Sequence, residues 1–307
     1  MSFKDPSSLK IKEYTIPFLD DRSDEMVVAL VGDLHIGPIT SEKQIGFLKT
    51  GLKKIKPDVI LLQGDLIDSP EFLDEPKYFR KTKQVLKFLS ELAPTVTVFG
   101  NHDLFISTRK NRTRSEKPII PEGTFEKWEA IFKETGVKLL KDEWFTLGDL
   151  RVFGFFQDKV CFEKDGKTGE NYQEMRKKLK KLAETGKLET KPGKFNWFFS
   201  HAPIHELVKM KELRGFEAFS FGHTHGGCVP RGVDAIVDKF GLHGGLIAPT
   251  KGFFPREQIR GMEILPNRAR LIVTSGLSGV TATALKPLQY LNFLKSAEIT
   301  KITIKGI

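Results

Sequence analysis

The strongest constraint on this chain is an alternation. Residues 26–31 (MVVALV) form an unbroken apolar run, the pattern of a buried strand. A helical stretch follows, in which Ser41 and Gln44 match a capping box and Ile45, Leu48, Leu52 and Ile55 share one face. Residues 58–62 read as the next strand. Residues 77–92 read as a helix with Phe79, Val85, Leu86, Leu89 and Leu92 apolar, and residues 95–99 as a third strand. This β-α-β-α-β order predicts a largely parallel sheet with helices covering it.

Downstream the pattern is less regular. The spacing predicts a helix over 124–135, with Phe125, Trp128 and Phe132 on one face and Gly136 as its C-terminal cap. Short strands are expected at 138–140 and 150–155, and a lysine-rich helix at 172–185. Further strands are expected at 195–199, 216–221, 271–274 and 299–304. Residues 5–24 read as an N-terminal strand or an arm. No internal repeat and no long linker interrupts the 307 residues, so one continuous domain over 1–307 is expected.

Composition narrows the class. The longest apolar runs fall far short of the roughly 18–20 residues of a membrane span. The first residues lack a basic start followed by an apolar stretch, so no signal peptide is expected. Cys161 and Cys228 form neither a metal-type spacing nor a disulfide framework, and a reducing cytoplasm is the simplest setting. Lys plus Arg is 49 against 39 Asp plus Glu, a net charge of +10 that suits a phosphorylated substrate or an acidic partner.

Every strong polar cluster falls just after an expected strand. Asp33 and His35 follow the first; Gly64-Asp65-Leu66-Ile67-Asp68 the second; Gly100-Asn101-His102-Asp103 the third. Ser200-His201-Ala202-Pro203 and Gly222-His223-Thr224-His225 follow two later ones. Ligand sites of open α/β sheets lie beyond the carboxyl ends of strands, so five such loops can converge. In an extended segment residues i and i+2 point the same way, so Asp33 with His35, and His223 with His225, can each present two ligands. Imidazole with carboxylate suits Mn, Fe or Zn better than Ca or Mg. The set Asp33, His35, Asp65, Asn101, His201, His223 and His225 is too large for one tetrahedral ion and suits two divalent ions sharing a carboxylate, which would clamp a phosphoryl group. The other histidines, His205 and His243, read as helix surface and loop.

This motif series resembles the calcineurin-like metallophosphoesterase superfamily, from about Val27 to His225. The resemblance implies a four-layer αββα sandwich of two mixed β-sheets and a binuclear site. The first ion would take Asp33, His35, Asp65 and His225; the second would take Asp65, Asn101, His201 and His223, with Mn²⁺ the first choice and Fe or Zn behind it. It also implies in-line attack of a metal-bridging hydroxide on phosphorus, with His102 protonating the leaving oxygen or stabilising charge. Asp68 would orient His102 and raise its pKa, while Asp103 reads as a turn residue bonding its own loop.

Gly222-His223-Thr224-His225-Gly226-Gly227 and Val273-Thr274-Ser275-Gly276-Leu277-Ser278-Gly279 are similar to a bacterial branch that includes phosphodiesterases and the hydrolase of UDP-2,3-diacylglucosamine. Ser69-Pro70 stands where phosphoprotein phosphatases carry Arg-Gly, which points away from them. Segments 104–123 and 229–262 are expected as active-site flaps. In them Arg109, Arg112, Arg114 and Arg256 would meet phosphates, and Phe253 and Phe254, with Leu242 and Leu246, an apolar group. A third basic group, Arg176, Lys177, Lys178, Lys180 and Lys181, lies on the middle helix. The expected partner is a phosphorylated small molecule or lipid, with peripheral contact at an anionic inner-membrane surface. The alternative enzyme is a nuclease, or a phosphomonoesterase or phosphoprotein phosphatase, though nucleic acid is not the favoured partner, and a non-catalytic module on the same scaffold is the third reading.

Overall fold

In a computed structural model the structure describes residues 8–19, 23–38, 40–106, 119–162, 171–225, 260–278 and 296–307. In chain order the elements begin β1 (Ser8–Pro17), β2 (Glu25–Val31), α1 (Glu42–Ile55), β3 (Val59–Leu62), α2 (Pro76–Leu92), β4 (Thr95–Thr97) and α3 (Asn101–Leu104). They continue α4 (Thr124–Thr135), β5 (Lys138–Leu139), β6 (Glu143–Leu147), β7 (Leu150–Gly154), α5 (Lys159–Phe162), α6 (Tyr172–Glu184), β8 (Phe195–Phe199) and β9 (Ala218–Phe221). The last three are β10 (Gly261–Ile264), β11 (Arg270–Val273) and β12 (Ser296–Lys305).

The strands form two six-stranded sheets, in the orders β1-β12-β2-β3-β4-β5 and β10-β11-β9-β8-β7-β6. Each is parallel at its centre: β2, β3, β4 and β5 in the first, β7, β8, β9 and β11 in the second. β1 pairs parallel with β12, whereas β12 on β2, β6 on β7 and β10 on β11 are antiparallel, so both sheets are mixed.

Side-chain alternation builds the layers. Val28 and Leu30 of β2 and Val59 and Leu61 of β3 pack with Leu150, Val152, Phe195, Trp197 and Phe199 of the other sheet, so one core lies between the sheets. The alternate residues Ala29, Val31, Ile60 and Leu62 face α1, α2 and α4. Phe153, Phe198, Phe219 and Phe221 face α6 and the short 3₁₀ turns after β8. Strands buried on both faces need near-continuous apolar sequence, which is why residues 26–31 are apolar throughout and 195–199 carry one polar residue, Asn196, whose side chain is hydrogen-bonded. The result is helix, sheet, sheet, helix, as expected.

Local chemistry sets the helix ends. Ser41 and Gln44 form the reciprocal capping box, and Gly136 closes α4 in the left-handed conformation at φ 76°. Three features differ from the sequence reading. β6 pairs with β7 around Gly148, whose φ of 57° permits a tight turn. β10 occupies the end of the expected 229–262 flap. His205 lies buried in a 3₁₀ turn, not on a helix surface, and burial pushes its pKa down to about 4. The N-terminal stretch is a strand, and β12 inserts between it and β2.

Candidate metal centre

Five loops leave the carboxyl ends of β2, β3, β4, β8 and β9 and meet where the two sheets adjoin. Pairing continues past the strands. Asp33 donates its N–H to the Gly64 carbonyl (3.1 Å), His35 to Asp65 (2.9 Å) and Gly222 to His201 (2.9 Å). Asp33, His35, Asp65 and His201 are essentially without exposure. Asp33, His35 and His223 with His225 do come together, but not from extended backbone. Asp33, His35, Asp65, His223 and His225 all have positive φ, between 44° and 66°. Each such residue costs on the order of 1–3 kcal/mol, a strain that collects where side chains must be aimed.

Two ligand clusters result, one of Asp33, His35, Asp65 and His225, the other of Asp65, His201 and His223; within each, the ligand atoms lie within 4.8 Å of one another. Asp65 is common to both. Its Oδ2 is 3.4 Å from His35 Nε2 and 3.3 Å from His201 Nε2. Asn101 Oδ1 adds to the second cluster, 3.1 Å from His201 Nε2.

The donor set fits cations. His201 Nδ1 lies 2.6 Å from the Gln63 carbonyl, to which it donates, so in the neutral ring Nε2 is a lone pair. That lone pair faces the Asn101 and Asp65 oxygens and lies 3.0 Å from His223 Nδ1. His225 Nδ1 is 3.2 Å from the Ser278 carbonyl, which likewise leaves its Nε2 facing His35 Nε2 at 3.3 Å. Buried acceptors aimed at one another call for a proton or a metal ion between them.

The charges follow. Burial alone would raise Asp65, but His201, His102 and His35 outweigh it and hold the carboxyl well below its usual range. Burial opposes the His201 cation, yet Asp65 lifts it to about 9. Asp33 moves up, chiefly through burial. His102 moves down, through burial and the neighbouring His35, against the expected rise.

A family model described as calcineurin-like phosphoesterase matches residues 26–227, which span all seven expected ligands. The chain belongs to that family. It is 30% identical to phosphodiesterase YaeI of Escherichia coli over 117 residues, 38% of this chain and 42% of that protein's length. It is 22% identical to an uncharacterized metallophosphoesterase of Aquifex aeolicus, over 71% of this chain and 70% of that one. A Campylobacter jejuni uncharacterized metallophosphoesterase is 21% identical, over 92% of this chain and 60% of that one.

Beside the calcineurin-like ligand set stands a third group of His35, Asp68 and His102. His102 donates its backbone N–H to Asp65 Oδ1 (2.9 Å), and its Nδ1 lies 2.7 Å from the Asp68 main-chain carbonyl. The expected substrate residues Arg109, Arg112, Arg114, Phe253, Phe254 and Arg256 lie outside the described residues, as do Leu242, Leu246, His243 and Cys228. Of the basic residues on α6, Lys178 is tied to Asp142 (2.9 Å), and the other four are exposed.

Several supporting residues are not evident from sequence. Asp103 bonds more than its own loop: Oδ1 accepts from Leu66 and Ile67, Oδ2 from Gly100, which locks the second and third loops together. Gln157 clamps Ala202, beside His201, by accepting its N–H (2.7 Å) and donating to its carbonyl (2.9 Å). Residues 274–278 form a strap behind Asp33. Ser278 donates its N–H to Asp33 and its hydroxyl to the Leu34 carbonyl, and its own carbonyl holds His225. The only sequence signal for this strap is the 273–279 stretch noted above; Gln157 has none.

Proposed function

We propose that the chain hydrolyses a phosphodiester or pyrophosphate bond of a nucleotide or lipid-linked phosphate, with UDP-2,3-diacylglucosamine among the candidates and two Mn²⁺ ions as cofactor. The observation that carries this reading is the pair of buried ligand clusters sharing Asp65. Asp33, His35, Asp65 and His225 would hold one ion; Asp65, Asn101, His201 and His223 the other. Two such ions supply Lewis acidity toward the phosphoryl oxygens and a water of lowered pKa.

The chain's own residues do the rest. The Gln63 and Ser278 carbonyls fix the tautomers of His201 and His225. His102, with about a third of its side chain exposed, stands beside the clusters and is the group placed to pass a proton to the leaving oxygen. Because Nδ1 donates to the Asp68 carbonyl, the proton passed on would be the one the imidazolium carries on Nε2. In the overall reaction water oxygen bonds to phosphorus, the ester P–O bond breaks, and the departing oxygen takes a proton. An apolar rim supports a substrate with an apolar part: Phe162 lies 6.4 Å from His223 and 5.5 Å from Phe105, ring to ring, and Val160 beside it is exposed. The exposed cations of α6 and the net charge of +10 support contact with an anionic surface. No helix among the described residues is long and apolar enough to cross a membrane.

Turnover of bis-p-nitrophenyl phosphate with Mn²⁺ tests the activity. It should be abolished by chelation and by Asp65→Ala; metal-independent turnover, or an Asp65→Ala variant as active as the parent, overturns it. A panel of cyclic nucleotides, UDP-diacylglucosamine, phosphomonoesters and nucleic acid then separates the substrate classes.

A further inference from the structure

We propose that the Asp68 carboxylate is a positioning group for the metal ligand His35, and that His102 is oriented instead by the Asp68 main-chain carbonyl. This rests on the dimetal reading above. A neutral imidazole has one N–H to donate. His102 Nδ1 is 2.7 Å from the Asp68 carbonyl and 3.8 Å from its carboxylate, so its single proton is already used on the main chain. His35 is in the opposite position. Its Nε2 faces Asp65 and His225, which leaves the proton on Nδ1. Nδ1 is fully buried and has no hydrogen-bond partner of ordinary geometry, and the carboxylate facing it, at 3.4 Å, is Asp68 Oδ1.

A buried N–H without an acceptor is costly, and a histidine that binds a metal through one nitrogen characteristically gives the other to a carboxylate or carbonyl. Packing holds Asp68 to that task. A Cβ added at Gly37 would stand 2.9 Å from Asp68 Cβ and 3.3 Å from the Phe72 ring, so the glycine two residues after His35 leaves the room that Asp68 fills. The two imidazoles meet edge to face at 4.6 Å, and both have Nδ1 near this one residue. Asp68 thus serves the metal with its side chain and the proton-transfer group with its backbone, and substitution separates the two roles.

Mn²⁺ titration of the full-length, metal-stripped protein by calorimetry tests this without any turnover. Asp68→Ala should weaken one of two Mn²⁺ sites by about 10–100-fold. Asp68→Asn, which keeps an oxygen acceptor and nearly the same shape, should fall between it and the parent. His102→Ala should bind both ions as the parent does. In turnover assays the Mn²⁺ concentration giving half-maximal rate should rise for both Asp68 variants and stay in place for His102→Ala. Parent-like Mn²⁺ affinity in Asp68→Asn and Asp68→Ala, with kcat reduced to the level of His102→Ala, overturns the inference and returns the carboxylate to His102. A parent protein that takes up no Mn²⁺ overturns the dimetal reading itself, an outcome distinct from the first.

Discussion

At the scale of single residues, the ligand types were legible and their backbone was not. Asp, His and Asn after successive apolar runs announce a metal site because few other arrangements place so many acceptors together. The i, i+2 spacing suggested extended loops, whereas Asp33, His35, His223 and His225 are left-handed. Nothing in an Asp-x-His string states φ, since the conformation is imposed by contacts with residues far along the chain. Gly276 is one such contact. It has φ 70°, and a Cβ there would stand 2.6 Å from Asp33 Cβ and 2.7 Å from Asp33 Oδ2. Gly276→Ala therefore adds left-handed strain of about 1–2 kcal/mol and pushes on a ligand carboxylate. A misplacement on the order of 1 Å near reacting groups costs about 10²-fold in rate, and a loss of that order is expected in kcat/KM. Gly46, in α1, has open space where a Cβ would go, so Gly46→Ala is the control and should leave turnover in place. Equal activities of the two variants would remove Gly276 from the site's support.

At the scale of elements, what could be read depended on whether the stop signals were local. α1 and α4 were placed closely because their caps lie in the sequence beside them: Ser41 accepts the Gln44 N–H at 3.2 Å, and Gln44 Oε1 accepts the Ser41 N–H at 2.9 Å. β6 was missed because EWFTL at a sheet margin has half-buried residues and no long apolar run. The position of β12 could not be read at all, because strand order depends on pairings nearly 300 residues apart. The capping box also bears on the site, since Gln44 Nε2 reaches Ser278 Oγ at 3.5 Å. Ser41→Ala should lower stability by about 1 kcal/mol, within a range of roughly 0.5–2 kcal/mol. It would appear as a lower urea midpoint at unchanged slope. A midpoint identical to the parent's would show that the box contributes nothing at this helix end.

At the scale of the molecule, the centre belongs to neither sheet alone. Asp33, His35, Asp65 and Asn101 follow strands of the first sheet; His201, His223 and His225 follow strands of the second. Asp65 stands between them, close to His35 on one side and His201 on the other. Without an ion these buried groups answer one another with protons, as the raised His201 and lowered Asp65 show. Ions bound there tie the two sheets together only when both are folded, so binding free energy becomes folding free energy. At a Mn²⁺ concentration of about 100 times Kd the native state gains about 2.7 kcal/mol per site. That corresponds to a rise of at least several degrees in Tm for a chain of this size. The rise should grow with the logarithm of Mn²⁺ concentration, vanish on chelation, and be largely lost in Asp65→Ala, which removes the carboxylate common to both clusters. His102→Ala, which deletes no ligand, should keep it. A Tm indifferent to Mn²⁺, or an equal rise in Asp65→Ala, would mean that the ions do not join the sheets through this centre.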